Sequence, residues 1–282
     1  MISRFSGAAA RGYCAAMTPD PEAVAALLRR AATEIILPRF RNLDKSDVRE
    51  KGPGDLVTIA DTEAEQLLTP LLRRLAPGSV VVGEEAVSTD AGVLDLLQGT
   101  EGVWLIDPVD GTFNFVHGDP NFAVIVAYVE QGTVRGGWIH EPLEDRTVWA
   151  VAGEGAWNDS HRLRIPPAPP LEQMVGSVSG RTPGGARARD VLQARLKLGP
   201  LVNIRSAGRT YTRLARGEIH YAYFSRSRPW DHAAGLLIHR EAGGCGAFLD
   251  GEAYSPLRSN YPLLLAPDEA RWAELQSVLS RS

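Results

Sequence analysis

Trp104-Leu105-Ile106-Asp107-Pro108-Val109-Asp110-Gly111-Thr112 decides how the rest of the chain is read. An apolar run ends in two carboxylates that straddle a proline, with a glycine and a threonine behind them. The run predicts a buried strand over 103–106 that enters a turn. Glycine lets a ligand approach the backbone, and amides exposed at a following helix start form an anion site. Upstream, Val80-Val81-Val82-Gly83-Glu84-Glu85 repeats the design, with two carboxylates at the rim of a buried strand. Downstream, Pro229-Trp230-Asp231 sets a third acid before an apolar helix, and its position predicts Asp231 as that helix's N-cap.

Acids at strand ends and helix starts commonly cap amides and favour the positive end of a helix dipole. Three such clusters on one rim change the reading, because converging carboxylates repel one another unless a cation neutralises them. The set holds hard oxygen ligands and no Cys or His, which points to Mg²⁺ rather than zinc. An anion site beside a magnesium cluster suits a phosphate ester.

Around these clusters the chain divides into expected elements. Residues 19–40 and 61–75 are amphipathic helices by their three- and four-residue spacing, the first with an Asp20-Pro21 start. The stretch 42–54 between them reads as a polar segment with a Gly-Pro-Gly turn. Strands are expected over 80–82, 103–106, 123–129, 134–139 and 147–151, in a mostly antiparallel sheet with a hairpin at Gly132-Thr133. Four prolines in 165–170 read as an extended connector. Beyond it come strands over 174–178, 201–204, 219–224 and 262–266. Helices are expected over 186–198, 210–216 and 232–241, the last apolar almost all round and therefore buried, with a final helix capped by Asp268. The expected organisation is a tail over 1–17, an α+β half over 18–164 with most of the acids, and an α/β half over 165–282 with Asp231.

Composition bounds the function classes. The chain has 282 residues, a formal net charge of −4, 44% hydrophobic and 23% charged residues. The negative balance argues against a nucleic-acid binder. Two cysteines, Cys14 and Cys245, are too few for a disulfide framework and suit a reducing, cytoplasmic location. No apolar run reaches the ~18 residues needed to span a bilayer. Residues 1–16 carry Arg4 and Arg11 and no acid, a composition shared by transit peptides, disordered tails and translated leader from an upstream start.

At these acids the sequence resembles the inositol monophosphatase family. The family's first signature, a glutamate pair followed by Asp-Pro-x-Asp-Gly-Thr-x-Asn-Phe, reads here as Glu84-Glu85 and Asp107-Pro108-Val109-Asp110-Gly111-Thr112-Phe113-Asn114-Phe115. The second appears as Trp230-Asp231-His232-Ala233-Ala234-Gly235 with Glu241-Ala242-Gly243-Gly244, and Asp55-Leu56-Val57-Thr58-Ile59-Ala60-Asp61 resembles a further segment. The likeness runs over roughly residues 20–266, in order. It implies a layered α/β/α/β/α sandwich, usually dimeric, lithium-sensitive, that hydrolyses a small phosphomonoester with metal-activated water and two to three Mg²⁺ ions. It implies that Glu84, Asp107 and the Val109 carbonyl hold one Mg²⁺, that Asp107, Asp110 and Asp231 hold a second, and that Glu84 with waters holds a weaker third. Glu85 would orient the attacking water, Thr112 paired with Asp61 would help take its proton, and the Gly111 and Thr112 amides would bind the phosphate.

The substrate side departs from the pattern. Inositol-specific members resemble one another in a glutamate seven residues before the Trp-Asp aspartate, and Phe224 stands there; Arg209 replaces a small polar residue of an Arg-Ser-x-Gly motif at Arg205-Ser206-Ala207-Gly208. The departure weakens the case for inositol as the alcohol and puts Phe224 and Arg209 on the substrate side. Arg209, Arg226 and Arg228 either meet extra negative charge on the substrate or are surface and dimer contacts. Alternative activities are those of a fructose-1,6-bisphosphatase, a histidinol phosphatase or a 3′-phosphonucleotide phosphatase. A regulatory or RNA-associated protein on the same fold would be marked by a lost metal acid or a basic stripe, and neither is present.

Overall fold

The computed structural model describes residues 18–52 and 54–281. The readings of residues 1–17, Cys14 among them, and of Pro53 in the Gly-Pro-Gly turn lie outside the described residues.

Helix α1 (Pro21–Ala31) starts where Asp20 accepts the Glu22 amide at 3.1 Å, with proline at its first position. It continues through a π turn and a 3₁₀ turn to Arg39. The polar stretch after it is not wholly irregular. Its second half forms strand β1 (Val48–Gly52), paired antiparallel with β2 (Asp55–Thr58). Arg49-Glu50-Lys51 gave no strand signal because this hairpin buries little on either face. Thr58 then caps helix α2 (Ile59–Leu75) in a reciprocal box with Asp61.

A seven-stranded sheet follows in chain order: β3 (Val80–Gly83), β4 (Val103–Asp110), β5 (Ala123–Glu130), β6 (Thr133–Glu141), β7 (Arg146–Val151), β8 (Gly155–Asn158) and β9 (His161–Leu163). Only β3 and β4 run parallel; every other neighbouring pair is antiparallel. Short helices α3 (Glu84–Thr89) and α4 (Thr112–Val116) leave β3 and β4 at the same rim. The second half supplies β10 (Gly176–Ser179), α5 (Ala188–Arg195), β11 (Leu201–Val202), α6 (Ala207–Ala215), β12 (Tyr221–Phe224), α7 (Pro229–Glu241), β13 (Cys245–Phe248), β14 (Leu263–Ala266) and α8 (Glu269–Leu279). Its five strands lie in the order β11-β10-β12-β14-β13, with β10 parallel to both neighbours and β14 antiparallel to both of its own.

Alternation along the strands builds five layers, as expected from the sequence. In β4, Trp104 and Ile106 pack with Leu28 of α1 and Leu68 of α2, whereas Val103 and Leu105 face the interior helices α6 and α7. In β12, Ala222 and Phe224 face that same interior layer, and Tyr221 and Tyr223 pack with Leu192 of α5 and Leu275 of α8. Helix α7 is buried nearly throughout, between the two sheets. Each fully buried Leu or Ile there contributes on the order of 2 kcal/mol of transfer free energy.

Two further sequence expectations change. Asp231 is not the N-cap of α7. That helix begins earlier, at Pro229, with Arg228 as its cap residue, so Asp231 falls in its first turn. Strand β4 also does not end at Ile106; it runs on through both acids to Asp110.

Candidate metal and phosphate site

A bulge in β4 aims the acids. Asp107 pairs with Ile125 and Asp110 with Ala123, so β4 advances three residues (110 − 107) while β5 advances two (125 − 123). Pro108 lies inside the bulge, where its missing N–H breaks no ladder bond. The chain then turns at Gly111, whose φ of +86° favours glycine. A Cβ there would also lie 2.9 Å from the Asn121 carbonyl oxygen.

Glu84, Asp107 and Asp231 arrive from the starts of α3 and α7 and from β4. One carboxylate oxygen of each lies within 4.8 Å of the others. Asp107 is 3% exposed, and its Oδ1 has no hydrogen-bond partner. Burial, and then the charges of Glu84, Asp110 and Asp231, push its carboxyl well above the usual range. Burial and Glu84 do the same to Asp231. An orphaned, buried carboxylate oxygen among crowded acids is what a cation would satisfy, and the all-oxygen donors fit a hard divalent ion. If bound, such an ion would be held by Glu84, Asp107 and Asp231.

Asp110 stands at the edge of this group, turned towards α6. The Ser206 hydroxyl and the Gly208 amide donate to its Oδ2, and the Ala207 amide donates to its Oδ1 at 2.9 Å. Burial raises its carboxyl to about 6 against those three bonds. A carboxylate offers roughly four acceptor directions, so one remains. Asp61 faces Thr112, whose Oγ1 is 3.1 Å from Asp61 Oδ1 and 3.0 Å from the Val109 carbonyl oxygen. The other oxygen of Asp61 accepts the Thr58 amide at 2.8 Å and the Thr58 hydroxyl at 2.5 Å. Burial lifts the Asp61 carboxyl to about 7, although both Thr58 bonds oppose it.

Three residues to which the sequence reading gave no role, Glu65, Lys51 and Ser206, hold this arrangement. Glu65, buried in α2, accepts the Glu85 and Ala86 amides at 2.9 Å and so fixes the start of α3. Gly83 permits the approach, since a Cβ there would meet that carboxylate at 2.2 Å. Lys51 of β1 donates to Glu84 at 3.1 Å and to Glu85 at 3.0 Å. Burial alone would lower its pKa, but the two carboxylates outweigh burial and raise it. Ser206 is the third. The available cues were the spacing of Asp61 and Glu65, one turn apart on one helix face, and the N-cap type of Ser206.

Phe224 reaches the same region. It lines a cleft of about 240 Å³ with Asp110, Asp231 and Arg226, stacked on Tyr211 with ring centroids 5.7 Å apart. Arg209 is not brought there. Its side chain is 7% exposed and pairs with Glu141 at 2.9 Å and Glu144 at 2.7 Å, because it points from the far side of α6. Arg228 pairs with Glu84 at 3.5 Å and Asp55 at 3.7 Å, beside the acids. Among the described residues no helix is long and apolar enough to cross a membrane.

The model of the inositol monophosphatase family matches residues 20–278. A Thermotoga maritima protein named fructose-1,6-bisphosphatase/inositol-1-monophosphatase is 29% identical over 234 residues, covering 83% of this chain and 87% of its own length. A Pseudomonas aeruginosa protein named Nus factor SuhB is 33% identical over 227 residues, covering 76% and 80%. The solved structure of the extragenic suppressor protein suhB from Bartonella henselae superposes with a TM-score of 0.77 at 26% identity, covering 92% of this chain and 99% of that one.

Proposed function

This chain belongs to the inositol monophosphatase family, and from that premise we propose that it is a Mg²⁺-dependent phosphomonoesterase acting on a small phosphorylated metabolite. The observation that carries the reading is the meeting of Glu84, Asp107 and Asp231 within 4.8 Å, with a buried Asp107 oxygen that no donor satisfies. Glu84, Asp107 and the Val109 carbonyl are proposed to hold one ion, and Asp107, Asp110 and Asp231 a second, with Glu84 contributing to a weaker third. When bound, Mg²⁺ lowers the pKa of water from about 15.7 towards 7 and offsets charge on the phosphoryl group in transfer.

The protein's own groups do the positioning. Thr112 accepts a proton from the attacking water as it passes its own to Asp61, which Thr58 holds in place. A carboxyl raised by burial to about 7 accepts that proton near neutral pH. Glu85 orients the water, while the Gly111 and Thr112 amides take the phosphate. No covalent phosphoenzyme is needed, so no serine or cysteine is assigned as nucleophile. Burial raises the Cys245 thiol to about 11, which disfavours its thiolate near neutral pH.

The test is orthophosphate release from inositol 1-phosphate, fructose 1,6-bisphosphate and a 3′-phosphonucleotide, with Mg²⁺ and with a chelator. Release in Mg²⁺ that drops at least about a hundredfold on chelation is expected, as is inhibition in a lithium titration. No release from any phosphomonoester overturns the reading. Likeness to a Nus factor at 33% identity favours one other reading, a regulatory protein on this fold. That reading predicts a partner-dependent role that survives Asp107→Asn.

A further inference from the structure

Glu141 closes β6 with no exposed surface, and its carboxylate takes donors from the whole length of α6. Arg209 pairs with its Oε1 at 2.9 Å, and Thr212 Oγ1 donates to the same oxygen at 2.7 Å. Arg216, the C-cap residue of α6, donates to Oε2 at 3.0 Å and to Oε1 at 3.1 Å. Positions 209, 212 and 216 recur at helical spacing, so they share one face of the helix. Arg209 also forks to Glu144 in the turn after β6, at 2.9 and 2.7 Å. Burial would raise the Glu141 carboxyl, but Arg216 and Arg209 outweigh it and hold it at about 2. One acid of the sheet therefore grips three points along α6.

The start of the same helix holds Asp110. Its three donors are the Ser206 hydroxyl and the Ala207 and Gly208 amides, and Arg209 is the next residue. The contact has no slack: a Cβ on Gly208 would lie 2.9 Å from Ala123 Cβ, 3.1 Å from Asp110 Oδ2 and 3.2 Å from Ile139 Cγ2. Ile139 and Glu141 are two apart on β6 and project from one face of the sheet, Ile139 against Gly208 and Glu141 against Arg209. A slide of α6 by part of an ångström would disturb all three bonds to Asp110 together. Stability alone does not call for this cluster. Buried ion pairs contribute little over apolar packing of the same shape, and the buried Arg209 Nε has no acceptor among the described residues. What charged forks add is direction.

We propose that Glu141 and Arg209 brace α6 in register on the sheet, which makes Arg209 a positioning residue that acts on the cation site through Asp110. The inference rests on the phosphomonoesterase reading above for what Asp110 does there. Arg209 stands where the resembled motif has a small polar residue, so this arm of the brace belongs to this chain's own sequence and not to the motif. Arg146 provides the contrast. It donates to Glu141 Oε2 at 2.7 Å, but it belongs to β7 and pairs with Glu141 across the ladder. Its bond ties Glu141 to the neighbouring strand and not to α6.

The experiment follows the thermal midpoint without substrate as Mg²⁺ is titrated, in the wild type, Arg209→Gln, Arg209→Lys and Arg146→Gln. It also measures kcat for whichever of the three esters named above is hydrolysed fastest. Glu141 keeps two arginines in each variant, so no buried carboxylate is left alone and the fold should survive. Arg209→Gln should raise the Mg²⁺ concentration for half of the thermal shift about tenfold and lower kcat by a similar factor. Lysine keeps the charge but cannot fork to both carboxylates, so Arg209→Lys should move both readouts the same way by less. Arg146→Gln should lower the metal-free midpoint and leave the Mg²⁺ dependence and kcat at wild-type values. Wild-type Mg²⁺ dependence in Arg209→Gln, or an equal shift in Arg146→Gln, overturns the brace and leaves the phosphatase reading intact. A wild type stabilised by Mg²⁺ that releases no phosphate overturns that reading, while the Mg²⁺ midpoints still decide the brace. A wild type that Mg²⁺ does not stabilise overturns both.

Discussion

Asp107 sits in β4, a strand buried at every position, yet one of its carboxylate oxygens has no donor. Ionising it beside Glu84, Asp110 and Asp231 is unfavourable without a counter-charge, which is why burial and those neighbours raise its carboxyl so far. Asn at this position keeps the shape and removes the charge. Asp107→Asn and Asp231→Asn should therefore lower phosphate release by at least about a hundredfold. In a chelator they should unfold at the wild-type temperature or above it, because repulsion in the cluster is relieved. Orthophosphate release and a thermal scan in EDTA check the pair of outcomes. Lost activity together with a midpoint several degrees lower would make these acids structural supports instead.

Helix α3 has only six residues, too short to hold its place unaided. Its position comes from Glu65, whose carboxylate takes the Glu85 and Ala86 amides. Glu65→Gln weakens one of those bonds and removes the charge favoured at a helix start. It should destabilise the fold by about 1–2 kcal/mol and raise the Mg²⁺ concentration for half-maximal activity more than it lowers kcat. Denaturant melts and a Mg²⁺ titration measure the two effects, and an unchanged Mg²⁺ midpoint would show that Glu84 is placed without Glu65. Elements of this kind were the illegible part of the sequence. The β4 motif could be read because an apolar strand, two acids, proline and glycine each carry a local signal, and α7 because it is apolar all round. Glu65 hides among Ala64 and Leu68 on a core face, and the β1–β2 hairpin shows no alternation. Asp231 was misplaced as a cap although Pro229, at the first helical position, marks the true start. Arg209 binds Glu144 across 65 residues, a partner that spacing cannot reveal, whereas the ordered acids needed only local patterns.

Across the whole molecule two sets of buried groups pull stability in opposite directions with pH. Burial lowers His140 and His239 to about 4 from an ordinary value near 6.5. The unfolded chain takes those protons first, so their stabilisation is complete above pH 6.5 and is lost as the pH falls towards 4. Asp61 and Asp110 behave in the opposite sense, because burial raises them to about 7 and about 6. Their folded-state advantage is complete below the unfolded value near 4 and disappears as the pH climbs through 6 to 7. A bound divalent cation neutralises the acid cluster as protons do, and it competes with them. The rise in melting temperature caused by saturating Mg²⁺ should therefore be small at pH 6 and grow towards pH 8, where the cation alone offsets the repulsion. His239→Gln, remote from the acids, should leave that Mg²⁺ increment unchanged while flattening the fall of the melting temperature between pH 6.5 and 5. The difference corresponds to about 2 kcal/mol over that interval. Scanning calorimetry of both proteins over pH 5–8, with and without Mg²⁺, separates the two contributions. A Mg²⁺ increment independent of pH would mean that the acids are already ionised in the folded protein and that no proton competes for their place.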